Sequence, residues 1–137
     1  MIRLPRREFA RLVRRAYNQA YARAPRRIQE ALACIDVVVE EWPSAYDLAS
    51  GLESTQDSGE AGPESLFGMY TGVPLPVREG GPGASGHPER IAIYRQPILR
   101  SCANRAQAER EIRITLWHEL GHYLGMDEDD LDKLGYG

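Results

Sequence analysis

Residues 104–125 read NRAQAEREIRITLWHELGHYLG, and the rest of the chain is best read outward from them. Asn104 is a favourable helix N-cap, and Gln107 stands three residues on, where a capping-box partner belongs. Gly125 suits the residue just past a helix C-terminus, where a left-handed backbone is needed. The span between them predicts about twenty helical residues, about 30 Å in length. Ile112, Leu116, Leu120, Tyr123 and Leu124 fall along one side and predict the buried stripe. His118 and His122 fall on the other side. Residues four apart on a helix are displaced by about 40° around the axis and about 6 Å along it, so the two imidazoles project together. Such a pair can approach one divalent ion at about 2.0–2.1 Å, the distance zinc prefers. Glu119 lies about 100° round from His118, bordering that face without belonging to it. That position suits a carboxylate that handles a proton beside the ion rather than one that binds it.

A hydrolytic zinc site takes three protein ligands and keeps a fourth position open. Glu128 stands ten residues after His118, where the longer H-E-x-x-H-x-x-G-x-x-H pattern places its third histidine. Asp127, Asp129 and Asp130 crowd the same turn. Glu128 is the favoured third metal ligand, with Asp127 and Asp130 as alternatives. Two-histidine, one-carboxylate sites also accept other divalent ions.

Upstream, Phe9, Leu12, Val13, Ala16 and Ala20 recur at helical spacing and predict an N-terminal helix. Arg7, Arg11, Arg14 and Arg15 occupy its other side and read as a solvated face. A short second helix is expected over 25–33, and the β-branched run within 35–42 reads as a strand ended by Pro43. Residues 47–63 are rich in Ser, Gly, Glu and Asp and read as a loop. Strands are expected over 66–71 and 90–95, the latter alternating in polarity and closed by Pro97, with a Gly-rich loop over 79–88 between them. His87 in that loop reads as solvent-exposed.

The chain has 137 residues, 42% of them hydrophobic and 27% charged, enough for one packed core and thus a single domain over 1–137. No apolar run reaches the ~18 residues of a membrane span. Arginines occupy the place where a signal peptide's apolar region would lie, so no secretory signal is expected. The net charge of −3 argues against a general nucleic-acid binder. Cys34 and Cys102 are too few for a disulfide framework and read as reduced thiols of a cytoplasmic protein.

The stretch 118–134, HELGHYLGMDEDDLDKL, resembles the signature of a family of small bacterial zincin-like metallopeptidases, HExxHxxGxxD followed by an acidic tail. REFARLV, DVVVEEWP, FGMYTGVPL and RIAIYRQPILR upstream extend the likeness over much of the chain. The resemblance implies a minimal zincin-like α+β fold, with N-terminal helices, a small three- to four-stranded sheet and the active-site helix last. It implies that His118 and His122 are zinc ligands and Glu119 the catalytic base, with Glu128 standing where the family has Asp. The expected activity is zinc-dependent hydrolysis of a peptide or protein substrate, paired in extended form with the 66–71 or the 90–95 strand. Tyr94 and Arg95 are the candidates for a second donor to the oxyanion. The alternatives are a metal-containing binding or regulatory module without catalysis, and a regulatory protease that acts on one protein partner.

Overall fold

Helix α1 (Arg6–Arg23) buries Phe9, Leu12, Val13, Ala16 and Ala20, the stripe its spacing predicts. Its arginines turn outward, where Arg11 meets Glu8 at 3.0 Å and Arg15 meets Glu109 of a later helix at 3.3 Å. The computed structural model to which these elements belong describes residues 2–54, 63–72 and 89–134, without the side chains of residues 50–54, 63, 128 and 134. Helix α2 (Arg26–Leu32) starts directly after Pro25, whose ring presets the entry backbone. The Tyr17 hydroxyl donates to the Leu32 carbonyl at 2.6 Å and ties the end of α2 back to α1.

Among the described residues there is one sheet, with strand order β1-β3-β2. β1 (Asp36–Glu40) runs parallel to β3 (Arg90–Tyr94), and β2 (Gly68–Thr71) pairs with β3 on its other side, antiparallel. The central place of β3 changes how it is buried. Alternation in 90–95 predicts one covered face, but Ile91, Ala92, Ile93 and Tyr94 are all buried. Ile91 and Ile93 face the main core with the helices, and Ala92 and Tyr94 join Met69 in a smaller cluster on the opposite face. A central strand with both faces covered reads as a continuous apolar run.

Two expectations require correction here. The 47–63 stretch is not loop throughout, because helix α3 (Ala45–Ser54) begins just before it and covers its first eight residues. The Ser44 hydroxyl caps this helix by accepting the Asp47 N–H at 3.0 Å. Buried Asp47 in turn accepts the Tyr94 hydroxyl at 3.0 Å, a tertiary bond that composition does not reveal. Residues 55–62 and the 79–88 loop up to Pro88, with His87, lie outside the described residues. Pro97 does not simply close β3 either. It occupies the third position of helix α4 (Arg95–Ser101), where an N–H would have no partner in the helix.

Helix α5 (Arg105–Leu124) has the predicted bounds. Asn104 Oδ1 accepts the Gln107 N–H at 2.9 Å, and Gln107 Oε1 reaches back to the Ala103 N–H at 2.6 Å. Gly125 adopts φ 71°, a left-handed backbone that favours glycine, and stops the helix. The active-site helix was expected last. Instead α6 (Glu128–Leu134) follows it, capped by reciprocal bonds in which Asp127 Oδ1 accepts the Asp130 N–H at 2.9 Å and Asp130 Oδ2 accepts the Asp127 N–H at 3.3 Å. The acidic residues of this turn are the ones a helix start selects.

Candidate functional site

One side of α5 is anchored by the core. Ile112, Leu116, Leu120 and Tyr123 are inaccessible to solvent, and Leu124 nearly so. Trp117, which the predicted stripe omitted, is buried as well, and its indole N–H donates to the Ala16 carbonyl of α1 at 2.9 Å. The Tyr123 hydroxyl donates to the Ala31 carbonyl of α2 at 2.7 Å. These anchors fix the rotation of the helix and turn His118 and His122 to the surface, where both are exposed. Their ring centroids lie 4.9 Å apart, edge to face.

Glu119 is the sheltered member of the motif, with its side chain 12% exposed. Its Oε1 accepts the backbone N–H of Tyr70 at 2.8 Å and lies 3.5 Å from His122 Nδ1. Strand geometry explains why that N–H is available. Tyr94 N donates to Phe67 O across the ladder, so by antiparallel alternation the backbone groups of Gly68 and Tyr70 point to the outer edge of β2. Two further contacts hold β2 in register with α5. A Cβ at Gly68 would lie 2.7 Å from Thr115 Cγ2, so the missing side chain lets the strand approach the helix one turn before Glu119. The Tyr70 ring packs at 5.6 Å from the Tyr123 ring, and its hydroxyl donates to the buried Glu89 carboxylate.

The histidine pair suits a shared divalent ion. A tetrahedral ion about 2.0–2.1 Å from one nitrogen of each ring sets the ring centroids about 5 Å apart, close to the 4.9 Å found here. No cluster of three or more His, Cys, Asp or Glu side chains able to hold a metal occurs among the described residues. Glu128 opens α6, and its side chain lies outside those described. The two alternatives to it, Asp127 and Asp130, each engage a carboxylate oxygen in capping that helix.

Tyr94 and Arg95 do not belong to this site. Burial first, and then the Asp47 carboxylate, push the Tyr94 hydroxyl well above the usual phenol range. Arg95 is committed to Glu41 at 2.6 Å and to the Leu4 carbonyl at 2.7 Å, where it ties the N-terminus to α4. Nor can β3 receive an added strand, since β1 and β2 occupy both its edges. Among the described residues β2 is an edge strand, and it borders α5. The feature that sequence reading missed is the Tyr70 N–H, because a backbone donor has no signature in side-chain identity.

No helix among the described residues is long and apolar enough to cross a membrane. No characterised protein matches the chain in sequence. The zincin-like metallopeptidase family does match, over residues 32–137, which include the sheet, α5 and α6 and exclude α1, and the chain therefore belongs to that family.

Proposed function

We propose that residues 1–137 form one domain that hydrolyses peptide bonds with the help of a single zinc ion, with His118, His122 and Glu128 as its ligands and Glu119 as general base. The observation that carries this reading is the placement of Glu119. Its carboxylate is sheltered, flanks the two imidazoles and is held by an edge-strand N–H. When bound, zinc supplies a Lewis acid for the scissile carbonyl and makes water more acidic.

The chain's own residues do the rest. His118 and His122 each offer a ring nitrogen from one face of α5, and Glu128 offers a carboxylate from the start of α6. The Tyr70 N–H engages Glu119 Oε1, so Oε2 is the oxygen that takes the proton of the attacking water and passes it to the leaving amine. The outer-edge groups of β2 other than the Tyr70 N–H, which Glu119 holds, receive the substrate as an added antiparallel or parallel strand, which brings a peptide bond alongside α5. Extended peptide is therefore the substrate class.

Glu119→Gln tests the assignment. The amide oxygen still accepts the Tyr70 N–H, but the side chain no longer takes a proton. The variant is expected to retain zinc by elemental analysis and to lose cleavage of a broad peptide library by at least ~10²-fold. Equal cleavage by wild type and variant, with zinc bound in both, would refute the enzyme reading.

A further inference from the structure

The residue between Leu120 and His122 is Gly121, and it is buried. A Cβ built there would lie 2.9 Å from both Cδ atoms of Leu131 and 3.3 Å from its Cγ. Leu131 sits on α6, 5% exposed, and its isobutyl group occupies the space that a side chain at 121 would take. We propose that Gly121 and Leu131 are positioning residues for the metal site, because their contact sets where α6, and with it Glu128, stands relative to the two histidines. This inference rests on reading Glu128 as the third ligand.

The connection between the two helices is short and internally bonded. Met126 N donates to Gly121 O at 2.8 Å, and Gly125 N to His122 O at 3.1 Å, a helix stop of the Schellman type. The Asp127–Asp130 bonds then start α6, and Leu131 N donates to Asp127 O at 3.0 Å. Each of these bonds lies within one helix end. The packing of Leu131 on Gly121 joins α6 back to α5 at the level of His122, and so bears on the angle between the helices. Carbon atoms in ordinary contact stand about 3.5–4.0 Å apart, so a methyl group at 121 would drive Leu131 back by roughly 0.6–1 Å. Metal–ligand distances tolerate only about 0.2 Å. Leu131 is buried, so part of that displacement passes to α6, and a shift beyond this tolerance weakens the metal site while the core beneath α5 stays intact.

The test measures zinc affinity of the full chain by competition with a chromophoric chelator, and separately the melting temperature of the metal-free protein. Gly121→Ala is expected to weaken zinc binding about 10–100-fold, the range for residues that orient a ligand, with a smaller effect on metal-free melting than on affinity. Leu131→Ala introduces no clash and carries the test if Gly121→Ala does not fold. It too is expected to weaken zinc binding at a temperature where the metal-free protein is folded. The double variant removes the three atoms that the new methyl would meet and is expected to bind zinc more tightly than Gly121→Ala alone, at a temperature where both metal-free proteins are folded. Glu128→Gln separates the two claims. If Glu128→Gln weakens zinc binding but Gly121→Ala and Leu131→Ala bind zinc as wild type does, the positioning role is wrong and the third-ligand reading stands. If Glu128→Gln binds zinc as wild type does, the third-ligand reading fails and the positioning role falls with it.

Discussion

Replacing Trp117 by Phe tests whether the helix that carries the histidines depends on α1, an element outside the stretch matched by the family. Three contributions set the magnitude. The indole N–H bond to Ala16 O, 2.9 Å in a buried setting, is worth about 1 kcal/mol. The Ala16 carbonyl keeps its own helical bond inside α1, so no acceptor is orphaned and the loss stays near that mean. The smaller ring leaves roughly 40 Å³ unfilled at ~24 cal/mol per Å³, about another 1 kcal/mol. The guanidinium of Arg23 lies 5.0 Å and that of Arg113 5.9 Å from the indole centroid, and weaker attraction to a phenyl ring costs about 0.5 kcal/mol more. The sum is about 2–3 kcal/mol. For 137 residues, an unfolding entropy of ~2.1 cal/mol/K per residue converts this to a fall of about 7–10 °C in Tm. Thermal unfolding followed by circular dichroism reads it directly. Trp42→Phe is the control, because that ring is 38% exposed and its loss should move Tm by less than ~2 °C. A Trp117→Phe protein that melts within about 2 °C of wild type would refute the claim that the indole holds α5 against α1.

Other outcomes follow from the same structure. Desolvation alone would raise the Glu41 carboxyl, but hydrogen bonds from Gln96 and Arg95 and the charges of Arg95 and Arg6 outweigh it and hold it below the usual carboxylate range. Its stabilising contribution is therefore complete above about pH 4.3, the value of an unperturbed glutamate, and is lost as pH falls further. Glu41→Gln should flatten the decline of Tm between pH 5 and 3 relative to wild type, and equal slopes would contradict this. Cys34 is exposed and Cys102 buried, with burial foremost and Glu111 next pushing the Cys102 thiol up. A disulfide reagent at neutral pH should titrate one thiol rapidly in the native protein and a second only in denaturant. Zinc at about 100 times its Kd should stabilise the fold by ~2.7 kcal/mol, and chelation should remove that gain. His122→Ala should abolish the zinc-dependent rise in Tm and leave metal-free melting within about 2 °C, since the ring is exposed.

The parts of this protein legible in its sequence are those governed by neighbours along the chain. Asn104, Gln107 and Gly125 bound α5 through bonds spanning three or four residues, and the stripe from Phe9 to Ala20 follows from helical periodicity alone. The side-by-side projection of His118 and His122 is equally local, since one turn of helix dictates it. Where tertiary contact decides, residue spacing does not suffice. Helix α3 forms in a segment whose composition suits a loop, and its Asp47 bonds Tyr94, 47 residues away in sequence. Tyr94 and Arg95 are drawn into other partnerships by Asp47 and Glu41. Local sequence is thus enough to specify helix α5, its caps and the side-by-side histidine pair, because short-range backbone geometry leaves little freedom there. Chain packing alone makes β3 central, brings the Tyr70 N–H to Glu119 and seats Leu131 on Gly121. Those contacts depend on strand order, backbone donors and missing side chains, which residue spacing does not encode.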